Sequence, residues 1–532
     1  MTEKIITVID VAGIQAYIFG SNRLKHNIGA SFLVQLAGDE WVNDYLSRNS
    51  GELFYSGGGK TVLFFPSLDN AKQFATEYSQ KVLEHAPGMQ IYLAHHAMDW
   101  EREALGGANG ALSCAHKKVA SKKNSTPNRL AYLGWAVTAD CQYSGLPASA
   151  ILDGDRVSAE ILAKEKIVVD ANGSLQEKLN IAPYEFPSDM DDFGRTHGDS
   201  SYIAIVHIDG NGMGKRFQEL SEDYVSPSQN QEFIEKMREF SKGVSDVAQD
   251  AMQATLKHLV SKIQSDGKGG EYIQDAYRLA DMKIELSQKF LPFRPLVMGG
   301  DDVTFVCEGR LGLSLAHYFL KQITTPNLPA SKPMKARAGV AIVKSHYPFA
   351  QAYQLAEDLA KSAKKDLPEL KKGESGIDWH FATSGVLDGL TEIRKREYTV
   401  PTGSLHSRPL LLERAQQDTE WRNWETFLQF VKEFLRTEKE SDWGNKRNKL
   451  KELREVLRKG GDETQQFLKL YGLGKLPLVA KIDDSLYGWV VNLDRDYTKD
   501  KDKDKPRRFC TVFDAIEALD WFLILEAEHD SQ

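Results

Sequence analysis

The chain is poor in cysteine. Cys114, Cys141, Cys307 and Cys510 are its only four in 532 residues, and none forms a Cys-x-x-Cys pair. That spacing excludes a disulfide framework and a zinc ribbon, so no zinc is expected. No apolar run approaches the roughly 18 residues that cross a bilayer. Nor does Met1-Thr2-Glu3-Lys4 open an apolar leader, so a cytoplasmic protein without a membrane partner is expected. A surplus of basic charge is also missing: 67 Lys and Arg stand against 75 Asp and Glu, a formal charge of −8, which leaves any contact with RNA local. What the chain has is length and 41% hydrophobic residues, too much for a single core.

The chemistry concentrates at Pro295-Leu296-Val297-Met298-Gly299-Gly300-Asp301-Asp302-Val303-Thr304-Phe305-Val306-Cys307. Two apolar runs flank a Gly-Gly turn, predicting a hairpin in which Gly299 and Gly300 let the backbones pass closely. Asp301 and Asp302 then enter the second strand. Adjacent carboxylates repel, and hard oxygen donors suit Mg²⁺ or Mn²⁺. A third acid comes from Tyr202-Ile203-Ala204-Ile205-Val206-His207-Ile208-Asp209, a second apolar strand ending in a carboxylate. The glycine-rich turn after it, Gly210-Asn211-Gly212-Met213-Gly214, could receive a triphosphate on backbone N–H groups. Asp209, Asp301 and Asp302 are therefore the candidate catalytic and metal-holding residues, Gly210, Asn211, Gly212 and Gly214 the candidate phosphate cradle, and Gly299 and Gly300 further candidate nucleotide contacts.

The same design occurs earlier in the chain. Ile5 to Asp10 is a strand ending in an acid, and Phe54-Tyr55-Ser56-Gly57-Gly58-Gly59-Lys60-Thr61 is a glycine-tipped hairpin with Gly59-Lys60 in place of the two acids. A glycine and an ammonium cannot hold a divalent cation, but a lysine beside a glycine turn can meet a phosphate. This copy is expected to be catalytically silent. Gly57, Gly58 and Lys60 are candidate nucleotide contacts, and a purely structural half remains the alternative.

These stretches resemble the large polymerase/cyclase subunit of type III CRISPR effector complexes, most closely its second palm domain; the cyclases with Gly-Gly-Asp/Glu-Glu-Phe signatures are more distant. The resemblance implies an α+β fold: two ferredoxin-like palm domains and a C-terminal helical domain. It implies a first palm at 1–125, a connector at 126–197 with a remnant of a zinc-knuckle region at Cys141, a second palm at 198–395 and the helical domain at 396–532. It implies ATP as substrate, cyclic oligoadenylate as product, and as partners the subunit holding the guide RNA end, small helical subunits and, indirectly, guide and target RNA. Ser31 lies in a segment similar to the family's Gly-x-Ser, and Lys364 best matches the lysine that palm cyclases direct at the triphosphate. The chain starts at the first palm rather than at an HD-type nuclease, so cleavage of single-stranded DNA by that route is not expected. A non-catalytic scaffold, or a stand-alone defence cyclase with another product, stays open.

Along the rest of the chain, Ser31 reads as the cap of a helix from Phe32 to Trp41. Residues 101–125 read as a basic helix, and 231–263 as helix inserted into the second palm. Tyr347 to Lys365 reads as an amphipathic helix ending in lysines. Helices are expected at 420–436, 446–458, 463–471 and 512–526, uninterrupted by strands. Trp424, Phe427, Phe430 and Phe434 fit either an internal core or a partner groove. Lys499 to Arg508 alternates acid and base like a solvated loop.

Overall fold

The computed structural model describes residues 3–125, 137–194, 201–277, 282–324, 333–365, 367, 373–382, 389–412, 420–436, 443–477, 487–491 and 508–525. Most of the charged 499–508 loop lies outside them.

Two sheets share one topology. In the first, Glu52–Gly57, Lys60–Phe65, Glu3–Ala12 and Gln90–Asp99 lie side by side in that order, all antiparallel. In the second, Phe293–Met298, Asp302–Glu308, Tyr202–Gly210 and Ala336–Lys344 repeat it, and Gly376–Ala382 and Leu410–Leu411 extend it. The repeat reaches fine detail. Each hairpin carries an irregularity at the same place, between Leu53 and Tyr55 in one and between Pro295 and Val297 in the other. Each central strand leads through a left-handed glycine, Gly13 at φ 63° or Gly212 at φ 67°, into a helix, Ile14–Phe19 or Met213–Glu222.

The strand 202–210 is a continuous apolar run because both its faces are covered. Ala204, Val206 and Ile208 pack under the helix Gly312–Thr324. Ile203 and Ile205 join Phe349, Ala352 and Ala356 of the helix Phe349–Lys365, in a core that also holds Ile5, Ile9 and Phe19 of the first unit. Fully burying one such side chain contributes about 1.5–3 kcal/mol, so this shared core binds the two palms as one body. Gly339 makes the approach possible, since a Cβ there would run into the backbone of Ala356 and Ala360. The contact is reciprocal. Phe19 of the 14–19 helix stacks on Tyr353 at 4.0 Å, while Phe217 and Leu220 of the 213–222 helix pack into the first unit beside Leu112.

The insertion is the 32-residue helix Asn230–Ser261, followed by three short strands, Ile263–Ser265, Glu271–Gln274 and Lys283–Glu285, that the sequence did not announce. Residues 101–125 are helical only at Ala111–Ser125.

The C-terminal region holds Trp424–Leu435, Arg447–Leu457, Gly461–Leu470 and Phe513–Ala518 as helices. Contrary to expectation, strands interrupt them. Thr399–Val400, Gly403–Ser404, Trp489–Val491 and Arg508–Cys510 form a small sheet from pieces too short to leave a periodic pattern. Trp424, Phe427, Phe430 and Phe434 are all buried, with Trp424 and Phe427 against Trp379 and Phe522. They are internal core and do not line a partner groove.

Candidate active site

Asp209, next to last in its strand, stands directly opposite Asp302, the first residue of the strand 302–308. Residues paired across antiparallel strands share a face, here the one covered by the 349–365 helix. The turn between the strands is made by the glycines: Gly299 N donates to the Asp302 carbonyl at 2.9 Å, and Gly300 has φ 89°. Asp301 leaves from the other face, because a Cβ on Gly210 would lie 2.7 Å from the Cβ of Asp301.

Burial, with Asp302 and Asp209 nearby, pushes the Asp301 carboxyl up to about 6. Burial, then Asp209 and Glu357, pushes Asp302 up to about 7. One oxygen of Asp302 reaches solvent, but its Oδ1 is sealed and makes no hydrogen bond.

The 349–365 helix presents Glu357, Lys361 and Lys364 at i, i+4 and i+7, a single face. Lys364 Nζ is 3.1 Å from Asp209 Oδ2, and Lys361 Nζ is 2.9 Å from Glu357 Oε1. Burial alone would raise Glu357, yet the Lys361 ammonium holds it below its ordinary value. Gln15 of the first unit donates to Glu357 Oε1 at 3.4 Å. His207 faces the same way two residues before Asp209. Its Nδ1 is 3.1 Å from Thr304 Oγ1 and its Nε2 3.5 Å from Asp302 Oδ1; burial holds its pKa down, against the pull of Asp209 and Glu357. Glu357, His207 and Gln15 were not picked out by the sequence reading. The Glu-x₃-Lys-x₂-Lys spacing could have pointed to Glu357.

Among the described residues no group of three or more His, Cys, Asp and Glu side chains is disposed to hold a metal ion. The expected three-acid cluster is not closed, because Asp301 departs from the opposite face and Lys364 engages Asp209. The donors nevertheless fit a hard divalent ion in kind. Two opposed carboxylates, and two carboxyls pushed toward neutrality by burial and by neighbouring acids, are what a cation would relieve.

The expected cradle divides. Gly210 is needed for close passage past Asp301, and Asn211 Nδ2 donates to the carbonyls of Gly373 and Glu374 at 3.4 and 3.1 Å, tying down a loop. Gly212 and Gly214 have open space where a side chain would stand, at a helix N-terminus. Ser31 is not a cap. The helix runs from Leu24 to Gly38, because His26 and Asn27, polar in sequence, are buried, and the Ser31 hydroxyl donates to the Leu296 carbonyl at the hairpin irregularity.

Gly57, Gly58 and Lys60 form the other hairpin tip. Cβ atoms built on Gly57 and Gly300 would lie 3.8 Å from Ser241 Oγ and 3.6 Å from Val244 Cγ1, one turn apart on the 230–261 helix, so both tips meet one wall. The first unit has its own counterpart of the acid site. Lys123 Nζ is 3.5 Å from Asp10 where Lys364 Nζ is 3.1 Å from Asp209, and His116, seven residues before Lys123, occupies the helix position of Glu357.

Residues 202–371 match the family model for the Cas10/Cmr2 second palm domain. That stretch is a second palm of the Cas10/Cmr2 type. The matched segment contains Asp209, Gly299 to Asp302 and Lys364. The likeness in fold extends beyond it: a Csm1–Csm4 cassette solved in complex with pppApA is similar over 97% of this chain and 69% of that one, at 13% identity and a TM-score of 0.51. Csm1 of T. onnurineus is similar over 98% and 70%, at 14% identity and a TM-score of 0.50. No curated protein sequence matches the chain. No helix among the described residues is long and apolar enough to cross a membrane.

Proposed function

We propose that this chain is the large subunit of an RNA-guided type III CRISPR effector and that its second palm joins ATP into a cyclic oligoadenylate. The observation that carries the reading is the Asp209–Asp302 pair, opposed on adjacent strands beside Lys364. A divalent ion held by Asp209 and Asp302, with Asp301 alongside, would supply charge for the α-phosphate and acidity for a 3′-hydroxyl. Lys364 can turn its ammonium from Asp209 to a triphosphate, and the open helix N-terminus at Gly212 to Gly214 could receive its oxygens on backbone N–H groups. The first palm keeps Asp10 but has Gly59 and Lys60 in place of the other two acids, and it offers Lys60 and Lys123 as phosphate contacts. Support for adenine nucleotides comes from the pppApA bound to the Csm1–Csm4 cassette, and a Csm4-like partner is proposed on the same ground.

A second reading, a nucleotide-binding scaffold, is favoured by the Lys364–Asp209 ion pair, which leaves the acids unconverged. Incubating the purified chain with each labelled NTP and Mg²⁺ or Mn²⁺, with and without target RNA and partner subunits, separates the two. A cyclic product that disappears in Asp302→Asn supports the cyclase; NTP binding without turnover under every condition supports the scaffold.

A further inference from the structure

Resting on that reading, we infer that His207 is the positioning residue for Asp302. On the paired strands 202–210 and 302–308, Asp209 faces Asp302 and His207 faces Thr304, so four side chains form a square on one face. The diagonal matters: Nε2 of His207 is the group that approaches the sealed Oδ1 of Asp302, at 3.5 Å. The imidazole cannot easily swing away. Its Nδ1 is held by Thr304, and the Tyr353 ring packs edge-on against it with centroids 5.4 Å apart.

A neutral imidazole has one N–H, and the partner of one nitrogen decides which nitrogen carries it. If the Thr304 hydroxyl donates to Nδ1, the proton sits on Nε2 and points at Asp302. The Tyr353 hydroxyl also lies close to Thr304 and to Gln15, so the line of contacts that orients the acid begins in the first palm. Such an outer partner fixes the direction of a metal-holding carboxylate and is worth about 10–100-fold in metal affinity when removed.

The test is a Mn²⁺ titration by electron paramagnetic resonance on the full chain, with metal alone and no nucleotide, alongside thermal melts in chelator. His207→Phe fills the same space without a donor, whereas His207→Gln restores a donor near the place of Nε2. The expected result is a melt within a few degrees of wild type for both, Mn²⁺ affinity lowered about 10–100-fold in His207→Phe, and most of it recovered in His207→Gln. Thr304→Val should fall between them. Wild-type Mn²⁺ affinity in His207→Phe, with affinity lost in Asp302→Asn, overturns the role of His207 while leaving the metal site standing. An equal loss in His207→Gln and His207→Phe overturns it as well. Equal Mn²⁺ affinity in wild type and Asp302→Asn removes the site itself, and this inference with it.

Discussion

Asp10 and Lys60 are direct partners across the first sheet, at the register where Asp209 and Asp302 are partners in the second. The hydrogen bond from Val11 N to the Gly59 carbonyl, 2.8 Å, matches that from Gly210 N to the Asp301 carbonyl, 3.0 Å. Gly59 and Lys60 are therefore the spatial counterparts of Asp301 and Asp302. With Lys123 beside Asp10 the first site carries excess positive charge, and it suits an anion where the second suits a cation.

Restoring acids there should not create a second centre. Gly59 has φ 75°, and a Cβ would strike the Ile14 side chain. Gly59→Asp should cost about 1–3 kcal/mol, visible as a lowered melting temperature. The double variant Gly59→Asp, Lys60→Asp in an Asp302→Asn background should show no turnover of labelled ATP.

Asp302→Asn should be mild for folding and severe for chemistry. It removes one of the clustered charges that push Asp301 and Asp302 up, at nearly constant shape. A melting temperature at pH 8 equal to or above wild type, with turnover down at least about 100-fold, is the expected pair of measurements.

The site was legible as far as it is written in contiguous runs. Apolar strands ending in Asp209 and Asp302 announced themselves, and so did their echo at Asp10 and Lys60. What stayed hidden depends on tertiary contact. Gln15 meets Glu357 across 342 positions. His207 looks like any member of a buried strand until its face and its diagonal neighbour are known. Ser31 misled because buried His26 and Asn27 imitate a polar turn. The small C-terminal sheet is built from two- and three-residue strands, below the length at which alternation can be read.

Gly339→Ala should be the most damaging small change in the second palm. The added methyl meets the backbone of Ala356 and Ala360, which cannot rotate away, so the 349–365 helix must lift from the sheet. A loss of about 3 kcal/mol in a denaturant titration is expected, with Lys364 displaced from Asp209 and a raised KM for ATP.

Acid should weaken the junction between palm and helical region through His317, which stacks on Trp424 at 4.7 Å. Burial pushes its pKa down to about 3. The unfolded chain takes up a proton near 6.5, and the folded chain does not until much lower. Stability is therefore complete above pH 6.5 and falls as the pH drops toward 3. This group should account for about 2 kcal/mol by pH 5, and His317→Phe should flatten the slope of melting temperature against pH between 5 and 7.

The 349–365 helix is held by the first palm at its N-terminal half, where Phe19 lies on Phe349 and Tyr353, and carries Lys361 and Lys364 at the other end. That makes it a lever with its fulcrum at Gly339. About six residues of helix separate that fulcrum, under Ala356 and Ala360, from Lys364, roughly 9 Å, so a tilt of about 10° imposed at the seam moves the lysine by about 1.6 Å, enough to exchange Asp209 for another oxygen. Any partner that nudges the first palm thus has its hand on the charge beside the acids.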